Sequence, residues 1–332
     1  MKKNLLIAVL LCLCAGSQAA DALKVYFIGN SLTMEAKPDR VQTLLIQKGV
    51  PTDYAAQLSG GKSLIRQMNY AKEPDQQWQT PSCFGGTASR EGKFGTWDKA
   101  FKAYKWDAAV FQIFSSSLHD DLEALEAFIG ICLENDSCKQ FYIYSTWPSR
   151  PRPQGSDFAL AEFDYSRTWE QKYTAGPESV DAGAKQNYAT RSYVDALFAQ
   201  LNKRYPELKD RIHLIPVGEV LFRIDQKIKA GELPEVFELA RRTPDMVPGF
   251  RDGHSTEKDG MGVFYNDPIH FKQGLGTMVS STTLATVLGG KNPDGLAGSH
   301  FGLNDSKDKD VLKAIQQIIR ETVQNDPRTG VK

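Results

Sequence analysis

Leu23-Lys24-Val25-Tyr26-Phe27-Ile28-Gly29-Asn30-Ser31-Leu32-Thr33 is the stretch that decides the fold. Its run from Leu23 to Ile28 is rich in β-branched and aromatic side chains and does not alternate cleanly. Continuous runs of this kind are what strands buried on both faces of a parallel sheet look like. The run ends at Gly29 and a helical pattern starts soon after, so Asn30 and Ser31 occupy a strand-to-helix turn. In open α/β sheets, ligands and catalytic groups collect at these carboxyl ends. A serine there is open to the crevice, next to backbone N–H groups that can stabilise an oxyanion. The plainer role for the same residues is to cap the next helix, since every such turn wants a cap.

Further runs follow at Thr52–Leu58, Asp107–Phe111, Gln140–Tyr144 and Arg211–Val217. Between them, Val41, Leu44 and Leu45, then Leu122, Leu125, Phe128 and Ile129, then Val194, Leu197, Phe198 and Leu201 fall at the spacing of amphipathic helices. This alternation predicts an α/β protein, a three-layer α/β/α sandwich with a mostly parallel central sheet of about five strands. Lys307 to Val323 reads as a closing amphipathic helix, and no internal repeat interrupts the pattern.

The chain opens on Lys2 and Lys3, a short apolar run from Leu5 to Leu13, and Ser17-Gln18-Ala19. That order predicts a signal peptide over residues 1–19 and a single domain over 20–332. The run falls short of the ~20 residues that span a bilayer, so the expectation is a secreted or periplasmic product without stable membrane insertion. Cys12 and Cys14 suggest a lipoprotein signal, but each follows Leu where a small residue is wanted. The 40 basic and 40 acidic residues cancel, which removes the electrostatic case for nucleic acid or an anionic membrane as partner. Oligomeric state is left open.

Two stretches exceed what a connection needs, near 147–187 and 221–266. Long irregular segments in a compact domain tend to be binding loops or lids. These are full of Pro, Gly, Arg and Asp, as in Ser149-Arg150-Pro151-Arg152-Pro153, and suit hydroxyl-rich ligands. Trp147 and Phe250 are the candidate sugar platforms, although a packed core tryptophan is an equally good reading of Trp147.

Near the far end, Asn266-Asp267-Pro268-Ile269-His270-Phe271 places Asp and His three apart on one turn. A carboxylate so placed can fix the imidazole tautomer and support the imidazolium that forms when a serine loses its proton. Competing motifs are weaker. Gly61-Lys62-Ser63 mimics the end of a phosphate-binding loop, but Ala56 stands where that motif needs Gly. His119, His213, His254 and His300 are scattered without the paired spacing of a zinc site. His254 is kept as the one rival base.

In these residues the chain resembles the SGNH hydrolases, also called the GDSL family, over essentially its whole mature length. The resemblance rests on Gly29-Asn30-Ser31-Leu32, Gly60-Gly61 after the second run, Gln112 after the third, and Asp267-x-x-His270. It implies a flavodoxin-like sandwich with Ser31 as nucleophile, His270 as general base and Asp267 as its orienting acid. It also implies an oxyanion hole built from the N–H groups of Ser31 and Gly61 and the side-chain amide of Gln112. Asn30 stands where many members have Asp, and Gln112 where the family has Asn; Gln carries the same NH₂ donor on a longer arm. Ser115, Ser116 and Ser117 are the nearest alternative donors.

The activity so implied is a carboxylic ester hydrolase working through an acyl-serine, with O-deacetylation of a carbohydrate as first choice and a small-molecule or glycan ester as partner. A lipase or arylesterase for longer acyl chains, or a non-catalytic glycan-binding relative, are the alternatives. The chemistry calls for no metal and no organic cofactor. Cys132 and Cys138 bracket a polar turn and are expected to form a short-loop disulfide in an oxidising compartment, leaving Cys83 odd.

Overall fold

The buried run that opens the domain is strand β1, Leu23–Gly29, and it lies at the middle of the sheet. On one side it pairs in parallel with β2 (Thr52–Leu58), on the other with β4 (Trp106–Ile113). β5 (Cys138–Ser145) and β6 (Ile212–Pro216) extend the parallel sheet outward from β4. A short strand, β3 (Ser82–Gly85), adds antiparallel to β2, so the order is β3-β2-β1-β4-β5-β6. The structure is a computed structural model that describes residues 21–69, 82–85, 94–114, 117–150, 163–176, 189–243 and 257–332. The segment expected to be a signal peptide, residues 1–19, and parts of the two long stretches therefore lie outside the described residues.

The five parallel strands are the expected ones, and the antiparallel edge strand is an addition to the expected count. The order in which strands are added reverses between β1 and β4, which are themselves parallel: β2 follows on one flank, β4 and its successors on the other. In an open α/β sheet the crevice at such a switch point is where ligands bind. Ser31 follows β1 and Gln112 is the penultimate residue of β4, so both stand at this reversal.

Helices cover both faces. The first layer contains α2 (Pro38–Gln47), α8 (Val217–Lys229), α10 (Leu275–Gly289) and α11 (Lys309–Asn325), which pack on one another. The second contains α3 (Leu64–Asn69), α4 (Trp97–Ala103), α5 (Leu118–Glu134) and α7 (Arg191–Arg204). The expected helical faces carry the packing: Val41, Leu44 and Leu45 on α2, Leu122, Leu125, Phe128 and Ile129 on α5, and Val194, Leu197 and Leu201 on α7 are all buried. Helix α10 is buried from Leu275 to Leu288, and the hydroxyls of Ser280, Ser281, Thr283 and Thr286 donate to carbonyls four residues back. That is how a polar-looking helix can lie in a core. Among the described residues no helix is long and apolar enough to cross a membrane.

Cys132 ends the buried face of α5 and Cys138 begins β5, so the two thiols are brought into side-chain contact. In this structure they are free thiols standing side by side, the placement that the expected disulfide would need. The Cys138 thiol donates to the Gln140 carbonyl, and burial pushes the Cys132 thiol far up from its ordinary value, with Cys138 beside it adding to the shift.

Candidate active site

At the end of β1 the chain turns through Asn30 into α1 (Ser31–Glu35). Asn30 caps this helix: its Oδ1 accepts the Leu32 N–H at 3.0 Å, and its Nδ2 donates to the Lys62 carbonyl at 3.2 Å. The expected capping role is therefore filled by Asn30, which leaves the half-buried Ser31 at the first helical position with its hydroxyl uncommitted to a described group.

Gln112 reaches across from the neighbouring strand. Its Oε1 accepts three hydrogen bonds from the turn: Asn30 N–H at 3.0 Å, Thr33 N–H at 3.1 Å and Thr33 Oγ1–H at 2.7 Å. The side chain thus holds the turn through its carbonyl, and its Nε2 is buried without a hydrogen-bond partner. Two backbone donors fix the amide orientation, since only oxygen can accept from them. Gly29 is required for this arrangement, because a Cβ there would meet Thr33 Oγ1 at 2.1 Å and Gln112 Oε1 at 2.9 Å.

The loop after β2 is stitched to the same turn. Ser59 N–H donates to the Gly29 carbonyl at 3.0 Å, and Gln67 Nε2 donates to the same oxygen at 2.5 Å. Gln67 is held in turn by Gln57, whose Nε2 donates to it at 3.0 Å and whose Oε1 accepts the Trp97 N–H. Gly61 takes a left-handed φ of 68° in an exposed turn, a conformation that suits glycine. Among the described residues, the N–H groups of Ser31 and Gly61 donate to nothing. Two uncommitted amides flanking a serine at the carboxyl edge can receive an anion.

Asp267 and His270 lie on a tight loop closed by an antiparallel bridge between Tyr265 and Phe271. Asp267 Oδ2 accepts from His270 Nδ1 at 2.7 Å, while its Oδ1 accepts the Ile269 and His270 N–H groups, each at 2.8 Å. Burial pushes the Asp267 carboxyl up, but hydrogen bonds from the His270 ring and from those two N–H groups outweigh it and hold it below its ordinary value. The carboxylate therefore keeps its charge, and His270 presents Nε2 as the free ring nitrogen. No hydrogen bond joins Ser31 to His270 in this structure; such contacts commonly close only when substrate is bound.

Trp147 does not line a cleft. It is 1% exposed, stacks on Phe271 with ring centroids 4.2 Å apart, and donates its indole N–H to the Ile269 carbonyl at 2.7 Å. Its place is beneath the Asp267–His270 loop, as a prop rather than a sugar platform. Arg150 N–H, donating to the Pro268 carbonyl, and Tyr265 Oη–H, donating to Pro148, complete the support. Gly276, on the first turn of α10, lets Phe271 in, since a Cβ there would lie 2.5 Å from that side chain.

Phe250, His254, Ser115 and Ser116 lie outside the described residues, as does the side chain of Cys83. His213 pairs with Gln140 at the start of β6, His119 lies beside Asp120, and His300 is in a turn before α11, so none joins the Asp267 loop. Among the described residues no group of His, Cys, Asp and Glu could hold a metal ion. Sequence reasoning missed Gln57, Gln67 and Glu35, whose Oε1 accepts the Phe271 N–H at 2.6 Å and connects α1 to the His270 loop.

No family model and no curated protein matches the sequence. Among solved structures, the chain is similar to a DUF4886 family protein from Bacteroides uniformis, with 16% identity, a TM-score of 0.56, and 92% of this chain and 96% of that one covered. A second likeness is to a candidate SGNH hydrolase from Slackia heliotrinireducens, with 15% identity, a TM-score of 0.37, and 80% and 98% covered. At these identities the likeness is one of fold. In fold, the chain is an α/β/α sandwich with a mostly parallel sheet, like that of the DUF4886 family protein.

Proposed function

We propose that this chain is a serine hydrolase that cleaves ester bonds, with Ser31 as nucleophile, His270 as general base and Asp267 as the orienting acid. One observation carries the reading: the Asp267–His270 pair, locked at 2.7 Å on a loop that is hydrogen-bonded to the helix Ser31 begins. A carboxylate fixed by two backbone donors and committed to one imidazole nitrogen is the arrangement that general-base catalysis requires.

The steps follow from the parts. Ser31 Oγ attacks the ester carbonyl carbon as His270 Nε2 takes its proton, and the imidazolium is stabilised by Asp267. The new oxyanion is received by the Ser31 and Gly61 N–H groups, with Gln112 Nε2 as third donor once substrate gives it an acceptor. Collapse expels the alkoxide, which takes the proton from His270, and water repeats the sequence on the acyl-serine.

Within this class, the substrate we favour is an O-acetylated carbohydrate met outside the cytoplasm. Supporting it are the leader-like first nineteen residues and the Pro-, Gly- and Arg-rich text of the long loops. A short acyl pocket predicts kcat/KM highest for acetyl and falling by butyryl, whereas an apolar channel would add about 0.8 kcal/mol of binding per methylene. The test is turnover of p-nitrophenyl esters of increasing chain length, with acetylated xylan, pectin and peptidoglycan as polymers. Ser31→Ala and His270→Ala should each lose roughly 10³-fold or more in kcat. A folded Ser31→Ala variant with full activity defeats the reading, and a maximum at octanoyl replaces the deacetylase by a lipase.

A further inference from the structure

Glu35 is the last residue of α1, one helical turn and about 6 Å along the axis from Ser31. Its partner, the Phe271 N–H, belongs to the peptide that follows His270, 236 positions away in the chain. The carboxyl's other oxygen, Oε2, is shielded from solvent and has no hydrogen-bond partner. Directly beyond, Lys37 adopts a φ of 50° ahead of Pro38, a left-handed conformation that costs energy in a residue other than glycine. The chain thus ends α1 abruptly at Glu35, where its carboxyl meets the loop.

We propose that Glu35 is a positioning residue for the Ser31 chemistry, a strap whose length sets the spacing between the nucleophile's helix and the loop that carries the base. The inference rests on the hydrolase reading above. Four ionisable groups face the carboxyl: Asp267 on the loop, Lys37 beyond α1, Tyr144 at the end of β5 and Tyr265 at the loop's closing bridge. Burial holds Glu35 well above the usual carboxylate range; the Phe271 N–H opposes this, the Asp267 charge adds to it, and Lys37 opposes it. A neutral acid still accepts the Phe271 N–H and places no second negative charge beside the pair that must stabilise an imidazolium.

Length and charge are separable by substitution. Glu35→Gln keeps the reach and the accepting oxygen, whereas Glu35→Asp keeps the acid but falls short by one methylene, and Glu35→Ala removes both. The full chain is assayed with p-nitrophenyl acetate across pH, and the downfield proton NMR resonance of the His270 Nδ1–H is recorded in parallel. Glu35→Gln should retain kcat within about threefold, keep that resonance and leave the acid-limb midpoint unmoved. Glu35→Asp and Glu35→Ala should lose about tenfold or more in kcat at little change in KM, as expected when a small misplacement separates reacting groups. If Glu35→Ala fails to fold, the Asp and Gln variants decide between length and charge.

Folded Asp or Ala variants with wild-type kcat, or a Gln variant as impaired as the Ala one, overturn the strap. Ser31→Ala run alongside tells the two failures apart. If it alone abolishes turnover, the hydrolase reading stands and only Glu35 is reassigned. If no ester is turned over, the resonance still decides: its survival in the Asp and Ala variants overturns the strap, and its loss there with survival in the Gln variant supports it.

Discussion

Replacing Gln112 by Ala tests how the turn that carries Ser31, the proposed nucleophile, is held. One oxygen, Gln112 Oε1, accepts from the N–H groups of Asn30 and Thr33 and from the Thr33 hydroxyl, all buried. Each buried donor left without a partner costs about 1–3 kcal/mol, so three independent losses would sum to about 3–9 kcal/mol. The sum overshoots, because the donors share a single acceptor and a water can enter the space vacated by the side chain. A loss of about 3–4 kcal/mol is expected, a large share of the 5–15 kcal/mol typical of a folded domain. Urea denaturation should show a lowered midpoint at unchanged slope. Gln112→Glu keeps an oxygen over the turn and should retain most of the stability. Its kcat should still fall by about 10²-fold or more, because the Nε2 donor is gone and a negative charge stands in its place. A Gln112→Ala loss below about 1 kcal/mol, or a Glu variant as unstable as the Ala one, would refute the reasoning.

Three further outcomes follow from the loop that carries Asp267 and His270. Trp147→Ala should cost about 3–5 kcal/mol by thermal denaturation, as large core truncations do; an unchanged Tm with a raised KM would restore the sugar-platform role. Gly276→Ala forces Phe271 aside, with a stability loss of about 1–3 kcal/mol from overpacking and a fall in kcat as the loop shifts. The Asp267 carboxyl lies below its ordinary value in the folded chain, so its stabilising share is complete above about pH 4 and is lost as pH falls through the folded value. An Asp267→Asn variant compared with wild type should therefore show a stability gap that is constant near neutrality and shrinks only in acid.

How much of this was legible in the sequence varied with the range of the interaction that decides each element. Thr52–Leu58 reads as a strand from its own side chains and is one, residue for residue. The runs at Asp107–Phe111 and Gln140–Tyr144 extend at both ends through residues such as Gln112, Cys138 and Ser145, which become strand only by pairing with neighbours. β3 has Ser and Gly at its ends and only four residues, and it is held by its backbone pairing to β2. Asp267 and His270 were visible because three positions on one turn suffice to bring them together. Trp147 was ambiguous because its fate depends on a carbonyl 122 positions away. Glu35 carried no local signal, since what it accepts is a backbone N–H far along the chain. Gln112 could be recognised as a site residue, but which end of its amide faces the turn depends on donors supplied by β1 and α1.

A five-residue helix such as α1 cannot hold its own shape, because nucleation costs more than so few hydrogen bonds return. Every group around the Ser31 turn is accordingly tied to something more rigid. The Asn30 and Thr33 N–H groups go to Gln112, the Leu32 N–H goes to Asn30, and the Gly29 carbonyl takes Ser59 and Gln67. At the other end Glu35 is joined to the Phe271 backbone. What this pattern leaves over, among the described residues, is the Ser31 and Gly61 N–H pair and the buried Gln112 Nε2. The proposed reaction places its oxyanion among these donors, where N–H groups already held in position stabilise the charge without reorganising. Damage to the ties around them should therefore appear first in kcat, where that oxygen exists, and only weakly in KM, where it does not.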